Sequence, residues 1–102
     1  MYFAMNRFKI ANDHIEDFIT IWKTRRSLLD QVKGFKDFKL LRGPADEAST
    51  LFVSHSIWES YQAFKAWTDS DHFRNAHAGA KAPPGTYLEH PKFEGFEVVL
   101  DK

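Results

Sequence analysis

Cysteine is absent from this chain of 102 residues, and methionine occurs only as Met1 and Met5. The absence of cysteine excludes disulfides, thiolate nucleophiles, cysteine-ligated zinc, iron–sulfur clusters and thiolate-ligated haem. Since methionine is also scarce, a histidine or a carboxylate is the expected protein ligand of any metal or haem iron. The metal chemistry open to the chain is therefore narrow.

A net charge is also missing, because 14 lysines and arginines balance 14 aspartates and glutamates. No long-range field therefore favours nucleic acid or an anionic membrane as a partner. The chain has no apolar stretch long enough to cross a bilayer and no signal-peptide pattern, so we expect a cytoplasmic protein. It also lacks a glycine-rich phosphate loop, a dinucleotide fingerprint and a His-Glu-x-x-His motif, which argues against a nicotinamide or flavin site of that type.

Aromatic residues are abundant, at 16% of the chain, with ten phenylalanines and three tryptophans. A chain of this length forms one domain with a modest core. Such a core can absorb many rings, and an aromatic-lined pocket would raise their number as well.

Apolar periodicity predicts the order strand, helix, strand, strand, helix pair, strand. The strands are expected at residues 2–10, 35–42, 50–58 and 93–100. A long helix is expected at 13–32 with Asn12 or Asp13 as its cap, and Asp69 or Ser70 can cap the second helix of the pair. Residues 78–92 are expected to form a long loop. This order is typical of an α+β, ferredoxin-like split βαβ fold, an antiparallel sheet with helices on one face.

In two of the predicted strands, the sequence pattern indicates which side chains share a face of the sheet. Alternation in the second strand places Phe35 and Asp37 on the same face. The third strand carries apolar residues on both faces, with Leu51, Val53 and Ile57 opposite Phe52 and Trp58. Because helices can cover only one face, a second copy of the sheet is the simplest cover for the other. We therefore expect a homodimer.

Three residues are candidates for a site. Asn6 interrupts an apolar strand face, where it either bonds a backbone group, lies at the wet end of the strand, or points its amide into a ligand cavity. Trp67 and His77 lie on the two consecutive short helices, and Phe73 precedes His77 by one turn. Alone, such a tryptophan is more often a core anchor and such a histidine a helix-end residue favoured by the dipole. The alternative is that the indole and the imidazole hold something planar.

These residues form part of a longer pattern. The run Trp58-Glu-Ser-x-x-Ala-Phe-x-x-Trp67, then His77-Ala-Gly, with Asn6 in the first strand, resembles the IsdG-type haem-degrading monooxygenases. Those proteins belong to the broader antibiotic-biosynthesis-monooxygenase group of dimeric α+β barrels. The Asn…Trp…His set is the specific part of the resemblance. It implies a single ferredoxin-like haem monooxygenase domain over residues 1–102.

The resemblance also implies roles for single residues. His77 would be the proximal ligand to haem iron, Trp67 would hold the porphyrin out of plane, and Asn6 would donate its amide to the distal ligand. Phe73 would wall the pocket. Cationic side chains would meet the haem propionates, namely Arg25, Arg26 or Lys81.

On this hypothesis the protein is an oxidoreductase for which haem is both cofactor and substrate. O2 and external electrons would open the ring at a meso carbon and release iron and an open-chain tetrapyrrole. An external reductase or a small reductant such as ascorbate would supply the electrons, because the chain has no reductant-binding motif. Two alternatives stay open: a haem carrier or buffer that does not degrade its ligand, and a cofactor-free monooxygenase of a quinol or polyketide.

Overall fold

A computed structural model of the chain describes residues 1–24, 29–71, 73 and 82–102. Its elements are β1 (Tyr2–Ala11), a 3₁₀ turn (Asn12–His14), α1 (Ile15–Thr24), a second 3₁₀ turn (Leu29–Gln31), β2 (Phe35–Ala45), β3 (Ser49–Trp58), α2 (Tyr61–Thr68) and β4 (Lys92–Glu97). They follow the predicted order, and the second helix of the predicted pair lies largely outside the described residues. The strands are antiparallel and lie in the order β2-β3-β1-β4. This order confirms the α+β, ferredoxin-like fold.

The core on the helix-covered face consists of two clusters. The first lies under α1 and is built on Phe8, Ile10, Phe18 and Phe52. The second lies under α2 and is built on Tyr2, Ala4 and Trp58, with Leu29, Val32, Phe35, Ala63, Phe64 and Trp67 packed against it. Phe18 and Trp58 are fully buried, and each such ring contributes about 1.5–3 kcal/mol to folding.

The start of α1 differs from the predicted cap. Asn12 lies inside the 3₁₀ turn, and no side chain caps that turn. Instead, the Asn12 amide nitrogen donates to the Asp46 carbonyl at 2.9 Å, and its amide oxygen accepts from the Thr50 hydroxyl at 2.7 Å. Asn12 therefore ties the end of β1 to the β2–β3 turn, because these two hydrogen bonds use both ends of its amide. The helix predicted at 13–32 is described as α1 and a later 3₁₀ turn, and residues 25–28 lie outside the described part.

The β2–β3 hairpin has a shorter turn than the sequence indicates. The Asp46 carboxylate accepts hydrogen bonds from the backbone N–H groups of Ala48 and Ser49, at 2.9 and 2.8 Å. These bonds hold the pKa of Asp46 below its usual value, the bond from Ser49 most of all. The strands therefore pair up to Ala45, after a register irregularity that begins at Arg42.

A second irregularity, between Phe35 and Asp37, overturns the predicted facing of these two residues. Phe35 pairs with Trp58, whereas Asp37 pairs with the next residue along β3, Ile57. The bulge rotates Phe35 onto the helix-covered face, where its ring packs edge-on against Trp58 at 5.5 Å. The strict alternation used for the prediction fails where a strand carries an extra residue.

The other face of the sheet has no cover among the described residues. Its half-buried apolar side chains are Phe3, Met5, Leu51, Val53 and Ile57, and its exposed ones include Leu41 and Phe96. This confirms that β3 is apolar on both sides. No helix in the described ranges is long and apolar enough to cross a membrane.

We predict that Gly34→Ala destabilises the fold strongly. Gly34 has φ +85°, and a Cβ there would lie 2.5 Å from the Ala63 Cβ of α2. Backbone strain and overpacking each cost about 1–3 kcal/mol, so we expect a loss of about 2–4 kcal/mol in the free energy of unfolding.

Gly85→Ala is the matched control for this measurement. Gly85 has the same φ of +85°, but the nearest atom to its Cβ position, His14 Nε2, is 4.0 Å away. It carries the backbone strain without the clash, so its loss in urea unfolding should be about 1–2 kcal/mol smaller. Equal losses would show that the contact between the Gly34 turn and α2 is not tight.

Candidate functional site

Asn6 lies in the middle of β1, on the helix-covered face and between the two core clusters. Its cross-strand neighbours are Ser54 on β3 and Phe93 on β4. Asn6 is half-buried and is paired on both sides, so it does not lie at a wet strand end. Among the described residues, no hydrogen bond joins its side-chain amide to a partner. This arrangement favours an amide that faces the space above the sheet.

Polar side chains continue from Asn6 across the sheet. Ser54 is 7% exposed, and Ser56 accepts from the Trp58 indole nitrogen at 2.9 Å and donates to the Ala4 carbonyl at 3.5 Å. We call Asn6, Ser54 and Ser56 the polar seam. It separates the cluster under α1 from the cluster under α2, so the sheet has a polar floor between the two clusters.

An aromatic wall rises beside the seam on the α2 side. Phe93, the cross-strand neighbour of Asn6, stacks on Phe64 with ring centroids 5.5 Å apart and an interplanar angle of 10°. Phe64 in turn packs against Trp67 at 6.4 Å. Phe93 is 49% exposed, so this wall presents a flat apolar surface to solvent next to the Asn6 amide.

Trp67 is half-buried in the last turn of α2. One side of its indole packs on Trp58 at 5.3 Å, which is the core-anchor role. Its ring also meets Phe73 edge to face at 4.7 Å, and it lines a cavity of about 230 Å³ with Val32 and Ala66. The indole is therefore both a core contact and a wall of a cleft.

Hydrogen bonds of two serines position the residues around Trp67. Ser60 accepts from the backbone N–H of Ala63 at 3.1 Å and begins α2. Ser70 donates to the Trp67 carbonyl at 2.6 Å and accepts from the backbone N–H of Phe73 at 3.3 Å. The second bond is the kind expected of a cap at Ser70, and it holds Phe73 close to the end of α2.

The described residues bring together part of the expected site. Trp67 and Phe73 touch, and Asn6 is connected to them through Phe93 and Phe64. The other expected residues, His77, Arg25, Arg26 and Lys81, lie outside the described part of the chain. Within that part, no group of three histidine, aspartate or glutamate side chains is placed to hold a metal ion.

Tyr2, in the cluster under α2, is uncharged at neutral pH. Burial, and then the nearby Tyr61 and Glu97, raise the pKa of Tyr2, so its phenol keeps its proton. The Tyr2 hydroxyl occupies the space in which a side chain at Gly95 would begin. Gly95 is therefore required for the close approach of β4 to this phenol.

Sequence reasoning missed two residues that shape this region, Ser54 and Phe93. Ser54 was predictable from the sequence, because it follows Phe52 by two residues and so shares the inward face of β3. Phe93 had none, since its position beside Asn6 depends on the register of β4, which follows a long connection.

The chain resembles several known proteins. The family model described as Antibiotic biosynthesis monooxygenase matches residues 1–79. The chain is 38% identical over 81 residues to the "Heme oxygenase (mycobilin-producing)" of Mycobacterium tuberculosis, a match that covers 76% of this chain and 69% of that protein. It is 26% identical over 77 residues to the "Heme oxygenase (staphylobilin-producing)" of Staphylococcus epidermidis, covering 76% and 73%.

The chain is also similar to solved structures. The heme degrader MhuD from Mycobacterium tuberculosis, with two hemes bound in its active site, has a TM-score of 0.74 at 29% identity, covering 100% of this chain and 99% of that one. The cofactor-independent oxygenase SnoaB from Streptomyces nogalater has a TM-score of 0.66 at 16% identity, covering 98% and 94%, a likeness of fold alone. This chain therefore belongs to the antibiotic biosynthesis monooxygenase family.

Proposed function

We propose that this protein is a haem-degrading monooxygenase that holds haem above the polar seam. The observation that carries the proposal is the Asn6 amide, which lies in a polar seam between two apolar clusters, beside an exposed aromatic wall that leads to Trp67. The proposal agrees with the names of the relatives, which are haem oxygenases. It assigns these residues to ligand binding rather than to the core alone.

The described surface suits the chemistry of haem. A porphyrin is flat and largely apolar, and it packs well against aromatic rings such as Phe93 and Trp67. A single amide donor at Asn6 is placed on the floor, where it can bond a small polar ligand.

We assign the iron to His77, the role that the resemblance to the IsdG-type proteins implies for it; an imidazole suits haem iron in a chain without cysteine. Its ring nitrogen would bind iron, and its other nitrogen would donate to a backbone carbonyl or a carboxylate. Arg25 and Arg26 are assigned to the propionates, because guanidinium binds carboxylates through paired hydrogen bonds. These assignments rest on the sequence.

In this proposal, each residue of the site has a separate role in the reaction. Bound haem supplies the iron at which O2 is activated, with electrons from an external reductase or a small reductant. Asn6 would donate a hydrogen bond to a small polar ligand bound above the seam. Trp67 would pack against the bound ring, and its contacts with Trp58 and Phe73 keep the indole in place. The wall of rings excludes water from the reacting side.

The haem proposal predicts different effects for two variants. Trp67→Phe should keep haem affinity but slow turnover by about tenfold, or about 1.4 kcal/mol of activation free energy, because a smaller ring distorts the macrocycle less. His77→Ala should lose most of its haem affinity, because it removes the iron ligand. Haem titration and the rate of Soret loss, with reductant, O2 and catalase present, measure both effects.

Matched controls are available within the chain. Trp22→Phe alters a half-buried tryptophan of the other cluster, and His90→Ala removes an exposed histidine. Both should behave like the unaltered protein. Haem binding without Soret loss or iron release would identify a carrier, and the absence of stoichiometric haem binding would favour the cofactor-free monooxygenase. Unchanged turnover in Trp67→Phe would remove the proposed role of the indole.

We also propose that the protein is a homodimer joined through the uncovered sheet face. That face presents Phe3, Val53 and Ile57 half-buried and Phe96 48% exposed, and association would remove these apolar side chains from water. A second sheet packed on the first would enclose a barrel-like interior.

Sedimentation equilibrium tests this assembly. The unaltered chain should sediment at twice its mass of 11.9 kDa. Val53→Lys should shift it toward the monomer, because a buried unpaired charge at an interface costs several kcal/mol. Thr20→Lys, on the exposed side of α1, should leave the mass unchanged. A monomeric unaltered protein would contradict the proposal.

A further inference from the structure

A line of oxidisable rings runs from Trp67 to the protein surface. Trp67 packs on Trp58 at 5.3 Å, and Tyr2 packs on Tyr61 at 5.2 Å. Phe64 bridges the two pairs, because its ring lies 5.7 Å from Trp58 and 5.5 Å from Tyr2. Trp58 and Tyr2 are also cross-strand partners in the sheet. Trp67 and Tyr61 are therefore joined by ring contacts.

Exposure rises sharply at the end of this line. Trp58 is fully buried, Tyr2 is 7% exposed, and Tyr61 is 44% exposed. The line contains two of the three tryptophans and two of the three tyrosines in the chain. Since cysteine is absent and methionine is scarce, these rings are the main side chains that give up an electron readily.

We propose that Trp67, Trp58, Tyr2 and Tyr61 form a path that carries an oxidising equivalent from the cleft to the surface. Electron tunnelling falls off steeply with distance, so rings in contact allow short successive transfers. The inference rests on the proposed haem site, which places an oxidisable ligand beside Trp67. Its purpose would be to spare Trp67 when hydrogen peroxide oxidises the haem group and no reductant is within reach.

The transfer balances in electrons and protons. Trp67 would give one electron to a haem group that hydrogen peroxide has oxidised by two equivalents, and would become a radical cation; a second such transfer would use the remaining equivalent, so that two electrons and two protons reduce hydrogen peroxide to two waters. Trp67 recovers an electron through Trp58 and Tyr2 from Tyr61, whose phenol releases its proton to water and becomes a neutral tyrosyl radical. A small enediol reductant of the ascorbate class then returns one electron and one proton to Tyr61.

The end of the path is set by where a phenol can lose its proton. The Tyr2 hydroxyl is enclosed against Gly95, and burial first, with Tyr61 and Glu97, raises the pKa of Tyr2. An oxidised Tyr2 therefore has poor access to water as a proton acceptor. Tyr61 is open to water, so the radical comes to rest there.

Pulse radiolysis of the haem-free full chain tests the path directly. Azide radicals oxidise tryptophan, and the tryptophanyl absorption should convert to tyrosyl absorption in a first-order step independent of protein concentration. A Trp22→Phe background removes the tryptophan outside the path. In that background Tyr61→Phe should lose most of the tyrosyl yield, since it removes the terminal phenol.

Tyr87→Phe is the matched control, because Tyr87 is 41% exposed and packs on Phe8 and Phe18 of the other cluster. It should keep the yield of the background protein. Each variant removes a single hydroxyl. If the Trp22→Phe background does not fold, Tyr61→Phe and Tyr87→Phe are compared in the chain that keeps Trp22. Equal losses in Tyr61→Phe and Tyr87→Phe, or a full yield in Tyr61→Phe, would overturn the path.

A second measurement separates this inference from the haem proposal. After peroxide treatment of the haem complex, peptide mass spectrometry should find several-fold more oxidised Trp67 in Tyr61→Phe than in Tyr87→Phe. Similar Trp67 oxidation in both variants would refute the protective role. A chain that binds no haem but still shows the radiolysis result would refute the haem site and leave the ring path standing.

Discussion

The structure depends on the register of β1 between its two neighbours, because that register places one amide between two apolar clusters. Asn6 lies opposite Ser54 and Phe93, between Ala4 of one cluster and Phe8 of the other on the same face of β1. A shift of one residue would turn the Asn6 amide to the uncovered face and expose Phe8 and Ile10, so the hydrophobic pattern fixes its position. The polar seam is thus maintained by the burial of its apolar neighbours.

The helices complete the site by packing on different clusters. The close approach of Gly34 to Ala63 seats α2 on Trp58, Ser60 sets where α2 begins, and Ser70 holds Phe73 beside the end of α2. Trp67 therefore reaches the cleft from a firmly packed base. A side chain that presses on a ligand needs such support, because a loosely held ring would yield instead of the ligand.

Much of this architecture was predictable from the sequence. Alternation in β1 and β3 gave the buried face, the apolar residues on the second face of β3, and the place of Asn6, while serine at Ser70 indicated a cap. The sequence pattern did not reveal the bulge after Phe35, because a bulge breaks the alternation on which the prediction relied. It also missed the role of Asn12, since a partner 34 residues away is invisible to local capping rules. Phe93 could not be placed beside Asn6 for the same reason of sequence distance.

The central claim is that the Asn6 amide serves a ligand and not the fold, and the unfolding free energy of the haem-free protein tests it most directly. Asn12→Ala removes an amide that is hydrogen-bonded at both ends, and it should cost about 1–3 kcal/mol. Asn6→Ala should change stability by no more than about 0.5 kcal/mol. A loss in Asn6→Ala as large as that in Asn12→Ala would show that Asn6 holds the sheet together, and would contradict the account.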